Sequence, residues 1–110
     1  MQKISLDALV HEHLKHAATA STGRSAETVY GGHEHVLRQT LLALTSGTIL
    51  AEHENPGEAT LFVVRGRLRL HSGDTSWEGR TGDLLIIPEA RHSVEALEDT
   101  AFLLTVAKRP

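Results

Sequence analysis

Histidine is the residue this sequence holds in excess, with eight in 110 residues and no cysteine. The histidines gather at positions 11, 13 and 16, at 33 and 35, and then singly at 53, 71 and 92. Imidazole can bind a divalent metal or move a proton near neutral pH. Without cysteine there is no disulfide, thiolate site or thiol nucleophile, so any metal must be held by nitrogen and oxygen. Several of these histidines have plainer readings. His11, His13 and His16 fall on a helix, where His13 lies on the apolar stripe and is half-buried. His71 alternates with Arg67 and Arg69 and belongs to a solvated strand face. Ser93 beside His92 lacks a base and an orienting group, which speaks against a nucleophilic hydrolase.

The composition, 40% hydrophobic and 23% charged, is that of one folded domain. A net charge of -3 offers no basic surface for nucleic acid. No second helix is visible for a helix-turn-helix. No signal peptide or membrane span is readable at the N-terminus, where Asp7, Glu12 and Lys15 interrupt the apolar residues, so the expected setting is cytoplasmic. Leu6, Leu9, Val10, Leu14 and Ala17 recur near the helical period after Ser5, a good N-cap, and predict an amphipathic helix. Ala20 to Ser25 reads as a linker, giving a helix and linker over 1–27 and a barrel over 28–110.

From Thr28 on, short β-prone runs alternate with turn residues, as in a sandwich or barrel. Asn55-Pro56-Gly57-Glu58 suits a type II turn with Gly57 at positive φ. Leu84 to Ile87 is apolar on both faces. One face can fill the barrel, while the other needs a cover, either the N-terminal helix or a second subunit, so a homodimer is expected.

Two stretches carry a more specific signal. Gly47 is followed after five residues by His53, and the stretch closes on Gly66; Gly82-Asp83 leads through Leu84 to Ile87 into Pro88 and His92. These resemble the two signature motifs of the cupin superfamily, over residues 37 to 107. The string from Gly31-Gly32-His33-Glu34-His35 to Asn55-Pro56-Gly57-Glu58-Ala59-Thr60 also resembles a group of small, single-domain bacterial cupins of the cupin-2 type. The resemblance implies an all-β fold, a double-stranded β-helix or jelly-roll barrel, here with one N-terminal α-helix. It also implies a site for a divalent metal (Zn, Fe, Mn or Ni) held by three histidines and one glutamate.

This sequence keeps only part of that ligand set. His53 and His92 match the first and last histidines. Asn55 stands at the second histidine position, and Ala59 at the glutamate position, with Glu58 one residue out of register. On an extended strand a one-residue slip turns the side chain to the other face. The second motif is also shorter by one residue before His92, and Ala90 replaces a glycine. Strand direction brings His33 and His35 toward the same end of the barrel as His53, making them candidate supplementary ligands beside Asn55 and Glu58. Their alternative is a solvent-exposed strand start, and for His53 and His92 it is a hydrogen-bonded pair in a polar pocket. Two functions follow. One is a module that binds a small molecule in the barrel; the other is a metal-dependent cupin enzyme, of dioxygenase or isomerase type, acting on a small organic substrate.

Overall fold

A computed structural model describes residues 2–53 and 57–108. The chain runs α1 (Leu6–Thr19), β1 (Arg24–Gly31), β2 (Leu37–Leu44), β3 (Ile49–His53), β4 (Gly57–Arg65), β5 (Arg67–Ser72), β6 (Thr75–Arg80), β7 (Leu84–Ile87), β8 (His92–Ala96) and β9 (Thr100–Lys108). Nine strands form two antiparallel sheets among the described residues, one ordered β1-β2-β9-β4-β7 and the other β3-β8-β5-β6. Face to face, they make a jelly roll with one helix on its outside. No helix among the described residues is long and apolar enough to cross a membrane.

The alternation of the strands builds the core. In β4, Ala59, Leu61 and Val63 point inward and are buried, while in β5 Leu68 and Leu70 do the same. They meet Leu42, Leu44, Val94, Phe102 and Val106 from the neighbouring strands. The polar partners on β5, Arg67, Arg69 and His71, face out and pair with Glu78, Glu98 and Glu95. The Glu78 carboxyl is held below the usual carboxylate range, chiefly by the hydrogen bond from Arg69, which with the charges of Arg69, Arg67 and Arg80 outweighs the opposing effect of desolvation.

Helix α1 starts where the sequence places it. Ser5 caps it, its hydroxyl accepting from the Ala8 N–H at 3.2 Å. The stripe Val10, His13 and Ala17 is buried on the outer face of the five-stranded sheet against Leu41, Ala43 and Ala101. His13 is held at both ring nitrogens: Nε2–H donates to Glu27 Oε1 at 2.8 Å, and Nδ1 is hydrogen-bonded to Ser25 Oγ at 2.6 Å. It is therefore buried rather than half-buried, at 6% exposed.

Two local expectations differ from the structure. Arg24 and Ser25 are not linker but the start of β1, paired with Leu44 and Ala43. Backbone pairing wins over a composition that is turn-like only because this edge strand faces solvent. Gly57 does not take a positive φ; it opens β4, opposite Lys108. A Cβ there would come within 2.1 Å of the Ala107 carbonyl oxygen, so close approach between strands explains this glycine. Gly66 combines both demands, with φ +103° and the Asp99 carbonyl oxygen 2.5 Å from where a Cβ would be.

Candidate functional site

One end of the jelly roll gathers the candidate residues. There β3 ends at His53, β8 begins at His92, β4 begins at Gly57, β7 ends at Ile87 and β9 ends at Lys108. The short connection 88–91 joins the two sheets at this end, which we term the mouth. His53 stands opposite His92 in the β3–β8 register. Val94 and Ala96 point into the core, so by the period of two His92 faces inward as well, and it is 3% exposed. Its Nδ1–H donates to the Ala90 carbonyl at 2.9 Å, which fixes the orientation of the ring.

The other candidates do not converge on His92. Asn55 lies outside the described residues, as do Glu54 and Pro56. Glu58 is exposed, between buried Gly57 and buried Ala59, because β4 is regular from its first residue. The slip in register therefore turns its carboxylate to the outer face. Ala59, in the position of the cupin glutamate, faces inward at 8% exposed, opposite Ile87 on one side and Val106 on the other. His33 and His35 are exposed in the link between β1 and β2. The His35 ring lies 5.4 Å from the ring of Tyr30, and Tyr30 lines a cleft on the outer face. The link is tied down by Lys108 Nζ, which donates to the Gly32 carbonyl at 2.7 Å. Strand direction brings these histidines to the right end of the barrel, but they stay on its surface.

Among the described residues, no three histidine, aspartate or glutamate side chains are placed to hold a metal ion. The described donor set, an oriented imidazole with no inward carboxylate, does not fit a cupin metal centre.

Two residues that drew no attention in the sequence share the inner face at the mouth. In β2, Leu41 and Ala43 point out to α1, whereas Leu42 and Leu44 point into the core. The β2–β9 register is unbroken from Leu37 to Leu44, so Thr40 and Arg38 also point inward, opposite Leu104 and Val106. Both are half-buried. Their signal was the phase set by Leu41 to Leu44, two residues further along the strand. Two surface depressions lie away from the mouth. One, of about 410 Å³, is at the opposite end, beside Arg67, Arg80 and Glu98. The other, of about 390 Å³, lies between the segment before α1 and the outer sheet face, against Ile4, Tyr30 and Leu103.

No protein-family model and no curated protein matches this sequence. Solved structures do match by fold. A cupin superfamily protein from Desulfitobacterium hafniense superposes with a TM-score of 0.72 at 14% identity, covering 78% of each chain. A cupin-2 domain containing protein from Shewanella frigidimarina does so at 0.69 and 15%, covering 96% of this chain and 94% of that one. A variant of salicylate 1,2-dioxygenase from Pseudoaminobacter salicylatoxidans gives 0.74 and 19%, covering 92% of this chain but only 32% of the dioxygenase.

Proposed function

Taking the cupin fold of this chain as premise, we propose that it is a small-molecule-binding cupin that works without a complete metal centre. The observation that carries this is the β4 register. Ala59 occupies the inward position where a carboxylate would stand, and Glu58 turns out to solvent. A divalent ion on a pair of imidazoles alone, with no third protein ligand, is poorly held. The inner face at the mouth is instead apolar with a few polar groups, the usual make-up of a small-molecule site. Ile87, Val106 and Leu104 supply the apolar part, and His92, Thr40 and Arg38 the polar part. The same proposal includes self-association of the chain through the outer face of β7.

A metal-dependent enzyme is the second reading. It is favoured by the pairing of His53 with His92 and by the fixed orientation of the His92 ring. Analysis of zinc, iron, manganese and nickel in the purified, untagged protein separates the two. The binding reading expects metal well below one per chain, unchanged in His53→Ala and His92→Ala. Stoichiometric metal that disappears in both variants would overturn it in favour of the enzyme.

A further inference from the structure

The arginines of this chain divide sharply by what they touch. Arg65, Arg67, Arg69 and Arg91 each lie within 4.0 Å of a carboxylate, on Asp7, Glu98, Glu78 and Glu52 respectively. Arg24 and Arg80 are exposed and need no partner. Arg38 alone among the described residues is partly buried, yet its guanidinium makes no hydrogen bond or ion pair to any of them. A guanidinium stays protonated at any ordinary pH, so this charge is partly withdrawn from water and uncompensated. Such an arrangement costs stability, and an anion arriving from solution would relieve it.

Its surroundings say what kind of anion. Arg38 faces inward at the mouth, with Val106 opposite it and Thr40 next along the same face. The Thr40 hydroxyl likewise makes no side-chain hydrogen bond to a described residue. Ala59 and Ile87 continue the face across β4 and β7, and both are buried in the apolar core. The second sheet brings His92 to the same end. One forked cation, one hydroxyl and an apolar wall suit a ligand with one carboxylate on a compact hydrocarbon body. A guanidinium grips a carboxylate through two parallel N–H···O bonds, and the same positive charge disfavours a divalent cation nearby.

Resting on the binding reading above, we infer that Arg38 is the recognition residue of the mouth and that the ligand is a small organic carboxylate. Cyclohexanecarboxylate and its neutral amide, cyclohexanecarboxamide, serve as probes on the full chain, followed by NMR with the arginine Nε–H signals resolved. The carboxylate is expected to shift the Arg38 Nε–H and the His92 ring signals. The amide should bind about tenfold more weakly or worse, as loss of a charged hydrogen bond predicts. Arg38→Gln should lower carboxylate affinity by a similar factor, leave the amide unchanged, and melt no lower than the parent, since no internal bond is lost. Arg38→Lys, which keeps the charge but not the fork, should fall between them. If carboxylate and amide bind alike, or Arg38→Gln binds the carboxylate as well as the parent, the role of Arg38 falls while small-molecule binding stands. If neither probe binds at roughly 20 mM, the carboxylate assignment falls; stoichiometric metal in the same protein would remove the binding reading with it.

Discussion

Thr100 shows how much one buried hydroxyl can hold. It is fully buried, and its Oγ1 accepts from the Arg67 N–H at 3.1 Å while lying 2.7 Å from the Glu98 carbonyl and 2.9 Å from that of Arg67. The hydroxyl thus ties the start of β5 to the start of β9, beneath Gly66. Thr100→Val keeps the shape and removes the hydroxyl, stranding the Arg67 N–H in the interior. The expected loss is about 1–3 kcal/mol in denaturant unfolding; an unchanged midpoint would show that water reaches these groups. At this scale the sequence was legible where a motif fixed the spacing. Gly66 and His92 could be marked from it, and Glu58 could be seen to be out of register. Arg38 could not, because Val36, Leu37, Arg38, Gln39 and Thr40 do not alternate. Val36 lies before the strand begins, and Leu37 is an exposed residue of the outer face. Their apolar side chains hide the phase that puts Arg38 inside.

Helix α1 is held by more than its apolar stripe. Val10 and Ala17 supply buried surface, but both are small, and His13 between them is bonded to two residues of β1. A buried polar side chain of this kind specifies where a helix sits, because its partners occupy single positions. His13→Ala removes both bonds and opens a cavity. It should cost about 1–3 kcal/mol, with faster amide exchange in α1 and β1 and none of that acceleration in the β5–β6 hairpin. Uniform acceleration over all strands would mean that helix and barrel unfold only together. The helix was readable from its period and its cap. Its partner strand was not, for a physical reason: β1 is an edge strand with exposed Arg24, Ala26, Glu27 and Thr28, so its composition is that of a linker. The Leu84 to Ile87 run, by contrast, announced a strand with two apolar faces, and β7 is one.

The cover for that second face is a matter for the molecule as a whole. Helix α1 lies over β1, β2 and β9, and its cluster reaches only as far as Val64 on β4. Beyond it, Phe62, Leu84 and Ile86 form an apolar patch, 37%, 58% and 71% exposed, across the β4–β7 register. Strand β7 is also the last strand of its sheet, so its outer backbone edge pairs with no other strand among the described residues. An exposed edge beside an apolar face invites association. A second copy of the same chain fits it best, because an antiparallel strand paired with itself about a two-fold axis is self-complementary, and Leu84 and Ile86 then extend onto their counterparts. Sedimentation at micromolar concentration should give twice the 12.0 kDa of one chain. Ile86→Lys places two like charges against each other across the axis and should return the protein to a monomer, with its melting temperature lowered toward that of the isolated fold. Arg38→Gln, on the inner face of the far side of the same sheet, should leave the assembly intact. A parent protein that sediments as one chain would sink this interface without touching the mouth, because β7 presents Ile87 inward and Ile86 outward, and the two faces can be tested apart.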